Sequence, residues 1–266
     1  MSARIRCTRW MVGALAAVAI AGCASKPRVA SPIPDTPSPK PQLAEAAKYN
    51  VELGIAYMQR GDLERAQDKL NRAVKEAPRD PKAHSALALL YERLGELDEA
   101  EREFQKSLHL APHDPEVSNN YAVYLCRTHR VDEGVKRLLA TAHDPLYPTP
   151  EAAYTNAAVC LHSVSRDAEA EADLTRALEL RPSFAEAVLQ LSSLDAQHGK
   201  LRAALARIDR YVETYSSTPD LLTLGIRIAH TLGDPVAQQR YEQRLRVDFP
   251  DSPQTRALAS PSPNAG

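Results

Sequence analysis

The chain has 266 residues, with 33 Lys+Arg against 34 Asp+Glu and a formal net charge of −1. That balance argues against a nucleic-acid binder, which shows a basic patch or stripe. The sequence contains no Gly-x-Gly-x-x-Gly or Walker-type loop, so no backbone cradle for phosphate is expected either.

In chain order, Arg4, Arg6 and Arg9 form a positive leader, followed by an apolar or small run of 13 residues from Trp10 to Gly22. A membrane span takes about 20 apolar residues, so residues 1–22 read as a secretory signal. The run ends Ile20-Ala21-Gly22-Cys23, which resembles the lipobox of bacterial lipoproteins. The resemblance implies lipidation of Cys23, with membrane attachment through that anchor. The blander reading is an ordinary cleaved signal beside an incidental cysteine. Removing residues 1–22 takes three arginines and no acid, moving the net charge from −1 to −4. Ala24 and Ser25 lack the aspartate that in such lipoproteins signals inner-membrane retention, so the same resemblance implies the periplasmic leaflet of the outer membrane. Within residues 23–42 stand Pro27, Pro32, Pro34, Pro37, Pro39 and Pro41, and no core forms from such a segment. At about 3.1 Å per residue it makes an extended tether of roughly 60 Å.

From Ala47 the chain falls into windows of 34 residues. Windows 47–80 and 81–114 share Leu53/Leu87 at place 7, Gly54/Ala88 at 8, Tyr57/Tyr91 at 11, Gly61/Gly95 at 15, Ala66/Ala100 at 20, Leu70/Phe104 at 24 and Pro78/Pro112 at 32. This punctuation is similar to the tetratricopeptide repeat. Small residues at 8 and 20 let two helices approach, glycine at 15 ends the first helix and proline at 32 marks the exit from the second. The period continues through 115–150, 151–184, 185–217 and 218–251, the third window carrying an inserted loop at Ala142 to Pro148. The expected fold is all-α, a right-handed superhelical solenoid of about six helix-turn-helix repeats over 43–251. Residues 252–266 are expected to be a disordered tail.

Candidate chemistry is sparse. The close pair His109 and His113 straddles Pro112 without an acid or cysteine at metal-ligand spacing. No metal or cofactor is expected, and carboxylates such as Glu101 and Glu103 read as solvated helix faces rather than an acid/base pair. Cys126 and Cys160 stand in the first helices of the third and fourth repeats, which lie side by side in this architecture. In an exported chain a disulfide between them is the expectation, the blander reading being two separately buried small apolar residues.

In such arrays places 2, 5, 9 and 12 of each first helix line the concave side. These are Lys48, Val51, Ile55 and Met58 in repeat one, Lys82, Ser85, Leu89 and Glu92 in repeat two, and Glu116, Asn119, Val123 and Cys126 in repeat three. Val51, Ile55 and Met58 make an apolar stripe additional to the expected packing set Leu53, Gly54 and Tyr57. A helix apolar on both sides must bury both or bind something. The expected partner-binding residues are therefore Lys48, Val51, Ile55, Met58, Ser85, Leu89, Asn119 and Val123.

A second resemblance lies around the cysteines. Asn119-Asn120-Tyr121-Ala122-Val123-Tyr124-Leu125-Cys126, Pro145-Leu146-Tyr147-Pro148, Tyr154-Thr155-Asn156-Ala157-Ala158-Val159-Cys160 and the closing Asp248-Phe249-Pro250-Asp251-Ser252-Pro253 resemble the type IV pilus biogenesis and stability lipoprotein family (PilF/PilW), the pilotins of the pilus secretin. Ala122 and Ala158 depart from it, standing where glycine is expected. Membership implies a non-enzymatic outer-membrane lipoprotein, monomeric on its own, that recognises the type IV pilus secretin subunit and promotes its localisation and multimerisation. The rival within the binding class is a periplasmic adaptor for peptidoglycan-remodelling enzymes or another envelope complex.

Overall fold

Described from residue 41 to residue 259, the computed structural model is helical throughout that range. The signal segment, Cys23 and the tether up to residue 40 lie outside the described residues. The last two residues assigned to the tether, Pro41 and Gln42, already belong to the first helix. The helices are α1 (Pro41–Gln59), α2 (Leu63–Glu76), α3 (Pro81–Leu94), α4 (Leu97–Leu110), α5 (Pro115–Arg127), α6 (Val131–Ala142), α7 (Pro150–His162), α8 (Asp167–Leu180), α9 (Ala185–Gln197), α10 (Leu201–Thr214), α11 (Pro219–Leu232), α12 (Pro235–Asp248) and α13 (Pro253–Ala259). They pair as six hairpins in series, α1/α2 to α11/α12, closed by α13.

Local chemistry explains where each helix starts and stops. Asp80 and Asp114 cap α3 and α5, their carboxylates accepting the N–H groups of Lys82 at 2.9 Å and Glu116 at 2.8 Å, with Pro81 and Pro115 in the first helical turn. These are the residue types that satisfy orphan N–H groups without spending a donor. Between the helices of a pair the chain turns through a left-handed residue. Gly61, Gly95, Gly199 and Gly233 take it with φ of 69° to 79°, whereas repeats three and four use His129 (φ 64°) and Ser165 (φ 60°) at the same place.

Helices within a pair approach closely. A Cβ on Gly54 would lie 2.5 Å from Leu70 Cγ, so this residue must lack a side chain for Leu70 to be fully buried. The buried apolar residues form successive clusters shared between neighbouring hairpins rather than one central core, as a quasi-one-dimensional array requires. Place 7 shows the end effect. Leu87, Tyr121, Ala157, Leu191 and Leu224 are buried against the preceding hairpin, but Leu53 and Tyr57 of the first hairpin are only half-buried.

The expectation of a disordered tail from residue 252 is corrected for residues 253–259, which form α13. Leu258 packs against the last apolar cluster, the Thr255 hydroxyl donates to the Phe249 carbonyl at 2.6 Å, and Gln254 Nε2 donates to Asp220 at 2.7 Å. An array end has an uncovered face, and α13 covers part of it.

Candidate protein-binding groove

The first helices α1, α3 and α5 bring Val51, Ile55, Lys82, Ser85, Leu89 and Asn120 around an open cavity of about 120 Å³. Helical spacing puts these side chains on the inner face, and their hairpin partners hold the helices in register. Val51 and Leu89 are half-buried and Ile55 is 36% exposed. The apolar wall is therefore open to solvent without being covered by the next repeat. At the rim, Lys82 Nζ lies 2.8 Å from Glu116 Oε2, an exposed pair that contributes little to stability.

The sequence-predicted residues divide into three groups. Val51, Ile55, Ser85 and Leu89 meet at this cavity, although Ser85 is only 4% exposed and its hydroxyl accepts from Asn120 Nδ2 at 3.2 Å. Val123 lines the next cavity along the same face, and Lys48 is exposed one turn before Val51. Met58 and Asn119 are corrections. Met58 is buried in a cluster with Leu70, Leu87 and Leu90, because place 12 of α1 turns under α3 rather than outward. Asn119 is buried at the α5/α7 junction, where its Oδ1 accepts from Asn156 Nδ2 at 3.2 Å.

Sequence reasoning passed over Asn120, Asn156 and Val159. Val159 occupies place 9 of repeat four, so the rule that found Ile55 and Leu89 reaches it when carried one repeat further. Asn120 and Asn156 stand at place 6, and their signals were recurrence at one position in successive repeats and a place in the two stretches that carry the family resemblance.

A disulfide joins Cys126 on α5 to Cys160 on α7, with Cα atoms 5.4 Å apart. Gly134 on α6 makes room for it: a Cβ there would meet Cys126 Sγ at 2.5 Å and the Ala122 carbonyl at 2.8 Å. This explains glycine at place 20 in the one repeat where the other five carry alanine.

Glu103, expected on a solvated face, is 9% exposed on α4. Burial pushes its carboxyl up, but hydrogen bonds from Lys106 Nζ and His84 Nδ1, both at 2.6 Å, outweigh that and hold it below the usual carboxylate range. His84 Nε2 donates to the Pro78 carbonyl at 3.0 Å, so the cluster ties the turn before α3 to both helices of its hairpin. It is a buried network that holds the hairpin together. Among the described residues, no group of three or more His, Cys, Asp or Glu side chains is placed to hold a metal ion.

Hairpins in series with an open apolar wall on their first helices define a tetratricopeptide-repeat protein, a fold that binds other proteins, and the tetratricopeptide repeat family model matches residues 51–115. The type IV pilus assembly protein PilF of Pseudomonas aeruginosa is 27% identical over 208 residues, 78% of this chain and 82% of that protein. The crystal structure of PilW, a widely conserved type IV pilus biogenesis factor, superposes with a TM-score of 0.61 at 30% identity, covering 80% of this chain and 98% of PilW. The structure of Pseudomonas aeruginosa PilF gives a TM-score of 0.59 at 26% identity, covering 82% and 98%. The chain belongs to this PilF/PilW family of tetratricopeptide-repeat proteins of type IV pilus biogenesis.

Proposed function

We propose that this protein is a pilotin: a non-enzymatic lipoprotein, held at the periplasmic face of the outer membrane through Cys23, that binds the type IV pilus secretin subunit and promotes its localisation and multimerisation. The observation that carries the reading is the open apolar wall of Val51, Ile55 and Leu89 in a chain of this family. A solvent-facing apolar stripe costs a monomer solubility and makes sense when a partner covers it.

The test is Ile55→Asp. A fully buried side chain of this kind is worth about 1.5 to 3 kcal/mol, so partner binding should fall roughly ten- to hundredfold while helicity is retained. Leu70→Asp is the folding control, because Leu70 is fully buried beside Gly54 and a charge there must unfold the first hairpin. Secretin multimers in outer-membrane fractions are the readout. Normal multimers with Ile55→Asp would overturn this site, and normal multimers in a complete deletion would overturn the pilotin role.

A further inference from the structure

Hairpin α3/α4 encloses two titratable side chains that the groove does not use. His84 on α3 is 5% exposed and Glu103 on α4 is 9% exposed. Both nitrogens of the imidazole are engaged. Nδ1 lies 2.6 Å from Glu103 Oε2, and Nε2 lies 3.0 Å from the carbonyl oxygen of Pro78, in the turn that follows α2. A carboxylate and a carbonyl are both acceptors, whereas a neutral imidazole has one donor and one acceptor. A neutral ring would therefore set a nitrogen lone pair against an oxygen at one of the two contacts. Only the doubly protonated ring donates to both.

The acid does not supply that second proton. Burial alone would push the Glu103 carboxyl up, yet the bond from Lys106 Nζ, 2.6 Å from Oε1, and the bond from His84 hold it below the usual carboxylate range. The proton between Nδ1 and Oε2 therefore belongs to the ring. Tyr91 of α3 also faces the acid, and burial together with the charge of Glu103 raises its phenol, so it stays neutral. Glu96 and Glu99 add negative charge on the Tyr91 side, and Asp80 caps α3 one turn before the ring through the Lys82 N–H. Among the described residues, α1, α2 and α5, the other helices packed on α3, bring no charged side chain into hydrogen-bond contact with the ring.

We infer that this cluster is a pH-operated latch: with its second proton in place His84 fastens the turn before α3 to α4, and when that proton leaves the turn is released. Deprotonation sets two acceptors face to face, which costs a buried hydrogen bond. Ser107, fully buried on α4, donates to the Pro81 carbonyl at 2.7 Å and does not titrate, so release is confined to the turn rather than spread through the hairpin. Ser85 and Leu89 follow His84 on α3, which puts part of the groove wall on the helix whose start the latch governs. The latch stands independently of the pilotin reading. A proton held by the folded hairpin and given up by the unfolded chain makes stability fall as pH rises. The contribution is full below about 6.5, where the histidine of the unfolded chain is protonated too, and is lost as pH rises through the point at which the folded ring gives up its proton.

The ring nitrogen signals of His84 in the ¹⁵N-labelled full chain, followed from about pH 5 to pH 9, provide the test. Both nitrogens should show the shifts of N–H groups at neutral pH, and a ring with a single proton there would overturn the inference. The backbone amide signals of Arg79, Asp80 and Lys82 should move together with the ring as it titrates. Amides that stay put while the ring loses its proton would show that nothing is latched. Chemical denaturation then compares wild type with His84→Gln, which keeps a donor and an acceptor at every pH. Between about pH 5.5 and pH 8.5 the unfolding equilibrium of the wild type should rise relative to the variant by roughly ten- to hundredfold, the size of a hydrogen bond to a charged group. An unchanging ratio would overturn the latch. If His84→Gln fails to fold, Glu103→Gln takes its place in the ring measurement: without the carboxylate the ring should hold a single proton at neutral pH, and two protons there would overturn the inference. The wild-type ring spectrum needs no variant and decides even if both fail to fold.

Discussion

His129 and Ser165 hold the left-handed conformation that four other repeats assign to glycine. For a residue with a Cβ this costs roughly 1–2 kcal/mol, while glycine's extra freedom in the unfolded chain returns about 0.5–1. Both side chains are exposed, so His129→Gly and Ser165→Gly should each stabilise the protein by about 0.5–1 kcal/mol. Chemical denaturation of the two variants checks this, and a loss of stability would mean that the side chains make contacts worth more than the strain. Asp173 on α8 is a different kind of residue cost. Burial, with Glu169 nearby, pushes its carboxyl up to about 6 from 3.8. The folded chain therefore binds more protons than the unfolded one between about pH 4 and 6, so this group's contribution is full below the lower value and lost as pH rises through the upper. Asp173→Asn should raise stability near neutral pH by about 1 kcal/mol, discounted for the solvent that still reaches the group. Thermal melts across pH should show that gain shrinking toward pH 4. These sites were only partly visible beforehand: a departure from the repeat is written in the sequence, but whether the turn keeps its left-handed backbone is a property of the folded hairpin.

At the level of elements, the helix pairs were legible because caps, breakers and spacing act within a few residues. Asp-Pro at the starts of α3, α5 and α12 and glycine at the turns carry their physics locally. The α5–α7 junction is where a longer-range link enters. In the chain-entropy model, a disulfide closing a 34-residue interval restricts the unfolded state by about 4 kcal/mol. Each hairpin touches only its neighbours, so reduction should loosen the structure locally. Amide exchange should quicken in α5 to α8 and stay nearly unchanged in α1–α2 and α11–α12 on adding reductant. An equal change along the whole array would show that the bridge stabilises globally, and no change would show that it is dispensable.

For the whole molecule, the proposed role requires an array held near the membrane yet free to meet its partner. Each acyl CH₂ buried in a bilayer is worth about 0.8 kcal/mol, so several chains on one cysteine anchor stably. Cys23→Ser should accordingly shift the protein out of outer-membrane fractions and lower secretin multimers there, while the purified array keeps its melting temperature. Wild-type fractionation of this variant would show that something other than lipid holds it.

The sequence by itself determined the all-helical class and its hairpins in series, because a 34-residue period writes the same local rules several times over, and the stretches around Cys126 and Cys160 carried the family resemblance. It also placed Ile55, Leu89 and Val123 on one face, since position within a repeat decides direction. Only the tertiary structure decided which of those positions remain open. Met58 and Asn119 obey the same place rule as Ile55, yet one is covered by α3 and the other is engaged by α7. Leu53 follows the packing rule and is left half-buried where the first hairpin ends the series. Residues 253–259, which break the period, still find an apolar surface to cap. Burial depends on what the neighbouring hairpin presents, and that is a property of two segments together rather than of either one alone.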